Sequence, residues 1–259
     1  MNREKPGLGA CFRKAVASEC NGIGKAAVMF SGGIDSALMA RAVSLEIPKT
    51  ALFAAGFSKS PARKSAGQAA RQLRLPLKTT LLSEKALEKE IPKIKKTINS
   101  SSQMQLEIAL PLYFALKAAR SAKFGHVFTG MGADELFLGY DYFRRAFNGK
   151  NASEIRALQL EKLALFWEND FKRDSALAES LSLELHAPFL FPAFMKKALA
   201  LPVKQNLHSS TDLLRKHALR SLALQFGIPK EIAFRRKKAI QYDSGASKAV
   251  KLIMKQCKG

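Results

Sequence analysis

The sequence predicts an α/β fold in which a parallel sheet has helices on both faces and is followed by a mostly helical C-terminal half. Apolar strand-like runs alternate with helix-forming segments up to about residue 140, and this alternation is typical of βαβ units. After about residue 141 the strand signals fade. Glycine turns follow the first and the fourth predicted strands, at the carboxyl ends where such sheets bind ligands.

The individual elements are predicted from apolar runs, caps and helix breakers. The predicted strands cover residues 26–30, 50–57, 75–82 and 126–130. Residues 1–24 are interpreted as a leader with a short helix around residues 12–16. The main predicted helices cover residues 37–43, 60–73, 103–123, 152–167, 175–185, 192–200 and 211–226. Ser83 caps a further helix, which Pro92 is expected to break or bend.

Composition excludes several classes of protein. The chain has 259 residues, of which 47% are hydrophobic, enough for a sizeable core. The apolar runs are too short for a membrane span, and the N-terminus lacks the apolar segment of a signal peptide. Cys11, Cys20 and Cys257 have no close spacing, which argues against a disulfide framework, a zinc ribbon or an iron–sulfur cluster. We therefore expect a cytoplasmic protein without a membrane partner.

The charge balance is strongly basic. Lysine and arginine number 43 against 21 aspartate and glutamate residues, which gives a net charge of +22. Such a field attracts polyanions, including ATP and RNA, although a solvated basic surface explains the same balance. The positive charges are scattered, and no aromatic residues are interleaved with them as a base-stacking surface would need. A nucleic-acid partner therefore stays open but is not favoured.

The first glycine turn indicates a phosphate site. Residues 31–36 are Ser-Gly-Gly-Ile-Asp-Ser. Adjacent glycines let the backbone approach a ligand closely, and the free N–H groups of a helix start can surround an anion. Asp35 would repel a bare phosphate, so its carboxylate indicates a divalent cation between the two.

The second glycine turn carries two more carboxylates. Residues 129–140 are Thr-Gly-Met-Gly-Ala-Asp-Glu-Leu-Phe-Leu-Gly-Tyr. Asp134 and Glu135 could simply complement the positive end of the next helix. Because Asp35 is expected nearby at the same edge of the sheet, Asp134 can instead complete a two-carboxylate magnesium site.

Together these motifs resemble a known family. Residues 31–36 are similar to the PP-loop of ATP pyrophosphatases, and both turns resemble the synthetase domain of asparagine synthetases. Residues 173–190 are similar to that family's Arg-x-Asp…Pro-Phe-Leu-Asp segment. Residues 214–218 and 228–238 resemble its Leu-Arg…Leu-Pro-x-x-Ile-x-x-Arg-x-Lys end. The resemblance implies a PP-loop, adenine nucleotide alpha hydrolase-like fold in a single synthetase domain over 1–259, with an α/β core at 25–143 and a helical portion at 144–259 that completes the active site.

The resemblance also implies roles for individual residues. Asp35 and Asp134 would bind Mg²⁺, and Lys237, Asp134 and Glu135 would form the catalytic set, with Lys237 contacting phosphate. Glu184 is expected to orient structure through an ion pair with Arg173 or another arginine. The implied ATP-binding residues are Ser31, Gly32, Gly33, Asp35, Ser36, Phe57, Thr129 and Gly130.

Several positions depart from the family's pattern. Asn2 stands where a glutaminase domain would have its nucleophilic cysteine, so we expect ammonia to come from elsewhere, such as a separate glutaminase. Met131 replaces a glutamate that assists attack on the acyl-adenylate. His186 stands where arginine is usual, Phe191 where aspartate is usual, and Leu138 where glycine is usual. The ATP side of the motif pattern is retained, whereas the acceptor side is not.

The leading hypothesis is therefore an ATP- and Mg²⁺-dependent amide ligase that releases AMP and pyrophosphate. It would adenylate a small-molecule carboxylate, with aspartate as the default, for attack by ammonia or another amine. One alternative is a PP-loop enzyme that adenylates a tRNA base, which the net charge of +22 suggests. Another is a degenerate nucleotide-binding protein, which Met131 suggests.

Overall fold

The computed structural model describes residues 7–58 and 60–236, and its central element is a five-stranded sheet. The strands are β1 (Ala26–Met29), β2 (Thr50–Gly56), β3 (Leu77–Leu81), β4 (His126–Phe128) and β5 (Glu184–His186). Their order is β3-β2-β1-β4-β5, and each neighbouring pair is parallel. The predicted α/β class with a parallel sheet is confirmed.

Helices connect and cover these strands. The α-helices are α1 (Leu8–Cys20), α2 (Ile34–Glu46), α3 (Pro61–Leu73), α4 (Glu84–Ile98), α5 (Gln103–Ser121), α6 (Ala133–Leu136), α7 (Asp141–Ala146), α8 (Ala152–Phe166), α9 (Lys172–Glu179), α10 (Pro192–Leu199), α11 (His217–Gln225) and α12 (Lys230–Ala233). A π-helical segment, Trp167–Phe171, joins α8 to α9. A 3₁₀ turn, Pro188–Leu190, follows β5.

The sheet separates two apolar cores. Alternate strand residues point to opposite faces, so Val28 and Phe128 join the core that contains α1 and α2. Ala27 and Val127 join the core that contains α4, α5 and α9. Helices on both faces were expected, and both cores have them.

The N-terminal segment is part of the core. Phe12 of α1 is 0% exposed, and its ring stacks on Phe189 with centroids 4.9 Å apart. The interpretation of residues 1–24 as a leader is therefore wrong for the described residues. Burial of an aromatic side chain stabilises the packed position of α1.

A fifth strand lies in the half that was expected to be helical. The helix predicted over 175–185 ends at Glu179, and Ser182 has a φ of 53° in the following turn. β5 then pairs with β4, so long-range pairing overrides the local helix preference. Glu184 was expected to pair with Arg173 or another arginine. Arg173 instead binds Asp170 and Asp174, and Glu184 lies against His126 and His186.

Two helix predictions need correction. Pro92 lies inside α4, which continues to Ile98. Burial of Leu87 and Ile94 on the apolar face of α4 stabilises the helix despite the lost backbone hydrogen bond. The helix predicted over 211–226 begins only at His217. In the described ranges 7–58 and 60–236, no helix combines the length and apolarity that a bilayer crossing requires.

Candidate functional site

The loop after β1 is organised by two serines. The Ser31 hydroxyl lies 3.1 Å from the Ser36 hydroxyl and accepts a hydrogen bond from the Gly33 amide at 3.3 Å. The Ser36 hydroxyl donates to the Gly33 carbonyl at 3.1 Å. Gly32 has a φ of 77° and its Cα lies against α3, where a Cβ would be 2.8 Å from the Ala66 backbone. The loop is therefore held in a tight turn at the start of α2, which is a geometry that suits phosphate.

The two glycine turns meet at the carboxyl ends of β1 and β4. Gly130 lies so close to Asp35 that a Cβ at Gly130 would be 2.9 Å from the Asp35 carbonyl carbon. The expectation that the two motifs lie together is correct in this respect. Only glycine fits at this contact without a shift of the backbone.

A buried lysine joins the carboxylates of these two turns. Lys216 Nζ lies 2.7 and 2.8 Å from the carboxylate oxygens of Asp35 and 2.7 Å from Asp134 Oδ1. The Lys216 side chain is only 2% exposed. Burial alone would lower the pKa of Lys216, but the charges of Asp134 and Asp35 outweigh that effect and raise its pKa. The ammonium therefore stays charged and neutralises the converging carboxylates.

Gly139 makes room for this arrangement. A Cβ at Gly139 would lie 2.0 Å from Asp134 Oδ1 and 2.0 Å from Lys216 Cε. The Gly139 amide also donates to the Asp134 carbonyl at 2.8 Å. A side chain at position 139 would therefore separate Lys216 from Asp134.

Two buried arginines hold Lys216 in position. Arg215 donates to the Gly139 carbonyl at 3.1 Å and to Asp141 Oδ1 at 2.9 Å. Arg220 donates to the Arg215 carbonyl at 2.7 Å and to the carbonyls of Leu214 and Ala233. Residues 215 and 216 both have positive φ, at 51° and 55°. The guanidinium groups thus donate to the backbone carbonyls of an irregular turn. This turn places Lys216 beside the carboxylates of Asp35 and Asp134.

Glu135 has a different environment from Asp134. Its Oε1 accepts a hydrogen bond from the Tyr140 hydroxyl at 2.7 Å, and Gln159 donates to the carbonyls of Glu135 and Leu136. Burial, together with the charge of Asp134, raises the pKa of Glu135 to about 7. This carboxyl is therefore poised to exchange a proton near neutral pH, which is compatible with the acid–base part of its predicted catalytic role.

The basic C-terminal run begins beside the phosphate loop. Arg235 donates to the Gly32 carbonyl at 3.2 Å and to the Ser65 hydroxyl. Lys237, which the sequence assigns to catalysis, lies outside the described residues. Among the described residues, Arg235 contacts the loop after β1. A phosphate contact of Lys237 stays a prediction.

The remaining predicted ATP-binding residues follow strand ends. Phe57 comes directly after β2 and packs partly against the core beneath the sheet. Thr129 follows β4, its amide donates to the His186 carbonyl at 3.0 Å, and its hydroxyl accepts from the Met131 amide at 3.4 Å. These positions lie at the ligand-binding edge of a parallel sheet, and nucleotide contacts at these residues stay a prediction.

Two positions that depart from the family's pattern, Met131 and Leu138, lie in apolar surroundings. Met131 packs against a cluster that contains Leu163, Phe166 and Leu190. Leu138 is buried and has a φ of 54°, in a region where glycine is less strained than leucine. Replacement of glutamate by methionine at position 131 thus belongs to a packed apolar surface.

The binding of a divalent cation by the carboxylates of Asp35 and Asp134 stays a prediction. Their oxygens already converge on one positive group, the Lys216 ammonium, and carboxylate oxygens are the ligands that Mg²⁺ prefers. The structure therefore brings together Ser31, Gly32, Gly33, Asp35, Ser36, Gly130 and Asp134, which the sequence assigned to one site.

Sequence reasoning missed Lys216 as a functional residue. It was interpreted as a basic residue in the predicted helix over 211–226 and in the segment 214–218 that resembles the family's Leu-Arg motif, and Mg²⁺ was the cation assigned to the converging carboxylates. The chain has 43 lysines and arginines, and no local pattern distinguishes Lys216 among them. Lys216 lies in an irregular turn before α11. This turn is stabilised by long-range hydrogen bonds, which a local sequence pattern does not indicate.

The chain is similar to proteins of known name. The family model described as asparagine synthase matches residues 7–179 and 148–257. A putative glutamine-hydrolyzing asparagine synthetase of Methanocaldococcus jannaschii is 28% identical over 278 residues, which cover 96% of this chain and 51% of that protein. The glutamine-hydrolyzing asparagine synthetase of Homo sapiens is 27% identical over 243 residues, which cover 91% of this chain and 42% of that protein.

The rat protein of the same name is 27% identical over 219 residues, with 82% of this chain and 38% of that protein covered. The chain thus spans about half, or less, of the length of these curated relatives. The matched region contains both glycine turns and Lys216.

Proposed function

From the premise that this chain belongs to the asparagine synthase family, we propose that it catalyses ATP-dependent, AMP-forming amide ligation. The single observation that carries the proposal is the convergence of Asp35 and Asp134 on Lys216 beside the glycine loop after β1. The relatives are named as asparagine synthetases that hydrolyse glutamine, so aspartate is the default carboxylate substrate.

The first step would join the carboxylate to AMP. A carboxylate oxygen attacks the α-phosphorus of ATP, the bond to the bridging oxygen breaks, and pyrophosphate leaves with the electron pair. Negative charge grows on the departing pyrophosphate, and fixed positive groups stabilise it. Arg235, whose guanidinium lies beside Gly32, would supply such charge, and the N-terminal end of α2 would face the phosphate oxygens.

Asp35 and Asp134 would hold Mg²⁺, which supplies additional positive charge to the pyrophosphate. Lys216 keeps both carboxylates oriented towards one point. Their mutual repulsion is therefore already compensated before nucleotide binds. Gly139 leaves room for the side chains of Asp134 and Lys216, and Gly130 leaves room for Asp35.

The second step would form the amide. An amine attacks the acyl carbon and AMP leaves, so one proton must depart from the attacking nitrogen. Met131 has no group that accepts a proton, whereas Glu135, with its pKa raised to about 7, is a buried carboxyl in the same turn. Ammonia would come from solution or from a separate glutaminase.

The proposal is tested by ATP–pyrophosphate exchange with Mg²⁺ and a panel of carboxylic acids that begins with aspartate. We expect exchange that depends on one acid and falls about 100-fold or more in Asp35→Asn and Asp134→Asn. Glu168→Gln is the matched control, because Glu168 is exposed and pairs only with the exposed Lys172 among its described contacts. Absence of exchange with every acid, for a folded protein, would reject adenylation of a small carboxylate.

The same assay addresses the polyanion that the net charge of +22 suggests. Exchange that appears with tRNA and with none of the acids would favour base adenylation. Binding of tRNA that disappears at physiological salt would reflect only unspecific phosphate contacts, because these weaken steeply with salt.

A further inference from the structure

A second cluster of polar side chains lies across β4 and β5, where His126 pairs with Glu184 at the amino end and His186 pairs with Phe128. His126 begins β4, and Glu184 and His186 belong to the neighbouring strand β5. His126 Nδ1 lies 3.1 Å from His186 Nε2 and 3.2 Å from Glu184 Oε2. His186 Nε2 lies 3.5 Å from Glu184 Oε1. Two imidazole nitrogens and one carboxylate therefore converge from two strands.

The spacing of these atoms matches three corners of a tetrahedral metal site. Zinc binds histidine nitrogen and carboxylate oxygen at about 2.0–2.2 Å, which places neighbouring ligand atoms about 3.3–3.5 Å apart. The two imidazole nitrogens are 3.1 Å apart, which is close to that value. The Glu184 carboxylate approaches them through different oxygens, Oε2 at 3.2 Å from His126 and Oε1 at 3.5 Å from His186, and one ligand atom from each of the three residues lies within 4.8 Å of the others. A zinc ion with three such protein ligands takes water or a small ligand at its fourth position.

The buried histidine is also oriented from its far side. His186 Nδ1 lies 2.9 Å from Glu19 Oε2 of α1, and the His186 ring stacks on Phe128 at 4.6 Å. With Nδ1–H donating to Glu19, the lone pair of Nε2 faces His126 and Glu184. A carboxylate that fixes the second nitrogen of a ligating histidine is a regular feature of metal sites.

Hydrogen bonds within the cluster do not satisfy all of its close contacts. His126 Nδ1 is approached by both His186 Nε2 and Glu184 Oε2, and a single N–H can donate well to only one of them. A divalent ion would accept all three lone pairs at once. The ligands come from segments about 60 residues apart in sequence, so the ion would join β4 to the edge strand β5.

The other histidine cluster lacks this arrangement. His208, Asp212 and His217 also lie close together. Asp212 already accepts hydrogen bonds from the backbone amides of His208, Leu214 and Arg215, and the two rings stack face to face at 3.7 Å. Asp212 therefore caps an irregular turn. The cluster is a matched control for metal binding at His126, Glu184 and His186.

We propose that His126, Glu184 and His186 form a zinc-class divalent metal site at the edge of the sheet, with Glu19 as the residue that orients His186. The site is separate from the Asp35–Asp134 pair and does not depend on the proposed ligase activity. Its chemistry favours a borderline-soft ion such as Zn²⁺ over Mg²⁺, because imidazole provides two of its three ligands.

The experiment titrates the metal-free full chain with Zn²⁺ by calorimetry and with Co²⁺ by visible absorption. We expect one high-affinity site and the spectrum of four-coordinate Co²⁺ without a thiolate charge-transfer band. His126→Ala should weaken binding by at least about 100-fold, and Glu19→Gln by about 10- to 100-fold. His208→Ala should bind as the unaltered protein does.

Melting temperature provides a readout that is independent of the spectra. Zn²⁺ in excess should raise the melting temperature of the unaltered chain by at least about 2 °C, and it should have no such effect on His126→Ala. His126 is partly exposed, so this variant is expected to fold without metal, unlike a change at the buried His186. Absence of stoichiometric binding, or binding that survives in His126→Ala and is lost in His208→Ala, would overturn the proposal.

Discussion

Two clusters near β4 compensate their polar groups in different ways. The carboxyl-end cluster lies beyond the end of β4, and the amino-end cluster starts at His126 and extends to His186 beside Phe128. At the carboxyl end, Asp35 and Asp134 converge on Lys216, which is 2% exposed. At the amino end, His126 and His186 converge on each other and on Glu184. The first cluster contains its own cation, Lys216. Among the described residues, no lysine or arginine forms a hydrogen bond or ion pair with the second cluster.

This difference teaches where each cluster derives its stability. Buried carboxylates without a counter-charge are costly, so the carboxyl-end cluster depends on Lys216 in the free protein. The amino-end cluster contains two imidazoles and a carboxylate that is 63% exposed, so solvent stabilises part of it. Removal of one member of the first cluster should therefore lower the free energy of unfolding of the protein more than removal of one member of the second.

The largest expected effect is that of Lys216→Met. Methionine retains most of the apolar stem but leaves the charges of Asp35 and Asp134 without their ammonium, so we expect a loss of about 3–5 kcal/mol in the free energy of unfolding. Urea denaturation measures it. Lys172→Met is the control, since Lys172 is 66% exposed and pairs with an exposed glutamate, and it should cost less than about 1 kcal/mol.

A triple variant separates lost charge from lost packing. If Lys216→Met is destabilising because of uncompensated carboxylates, the addition of Asp35→Asn and Asp134→Asn should restore a large part of the lost stability. A triple variant no more stable than the single one would show that packing, and not charge, dominates this cluster.

The second expected effect is a pH dependence at Glu135. Burial and the Asp134 charge raise its pKa from 4.5 to about 7, so the folded state favours the protonated carboxyl. Its contribution to stability is fully present below about pH 4.5 and is lost as the pH rises through about 7. Glu135→Gln keeps an acceptor for Tyr140 and should gain up to about 3 kcal/mol relative to the unaltered chain between pH 4 and pH 8.

Glu90→Gln provides a control of opposite sign. Burial raises the pKa of Glu90, but hydrogen bonds from Lys117 and Tyr113 outweigh burial and lower it. The stabilising contribution of Glu90 is therefore present above its unfolded pKa and lost on acidification. The relative stability of Glu90→Gln should fall with rising pH, and two variants with the same pH trend would contradict the assigned environments.

The sequence predicts the acidic members of the carboxyl-end cluster but not its cation. Asp35 and Asp134 follow glycine turns after apolar strands, and a parallel sheet brings such turns to one edge. Lys216 lies in a turn with positive φ that Arg215 and Arg220 stabilise through contacts with residues 139, 141 and 233. Such a turn depends on tertiary structure, so the helix pattern of residues 211–226 was misleading.

The amino-end cluster was not predictable for a related reason. β5 has three residues and exists as a strand through its pairing with β4. Without that pairing nothing in the sequence brings Glu184 and His186 to His126. The glycine turns are local signals, whereas both missed features depend on contacts between distant segments.

The third expected effect concerns space at the carboxyl-end cluster. Gly139→Ala would place a Cβ 2.0 Å from both Asp134 Oδ1 and Lys216 Cε, so the variant must separate these groups or shift the turn. We expect a loss of about 1–3 kcal/mol in the free energy of unfolding. Gly24→Ala is the matched control, because a Cβ there meets nothing within 4 Å, and its stability should stay within about 1 kcal/mol of the original.

The smallest expected effect tests the other side of the comparison. His126→Ala, measured in metal-free buffer, should change the free energy of unfolding by no more than about 0.5–1 kcal/mol, because His126 is 37% exposed and Glu184 is 63% exposed. With Zn²⁺ in excess, the gap between the unaltered chain and this variant should widen, since only the unaltered chain gains stability from the bound ion. A loss in metal-free buffer as large as that of Lys216→Met would mean that the histidine pair is itself a structural element, and the contrast between the two clusters would then be wrong.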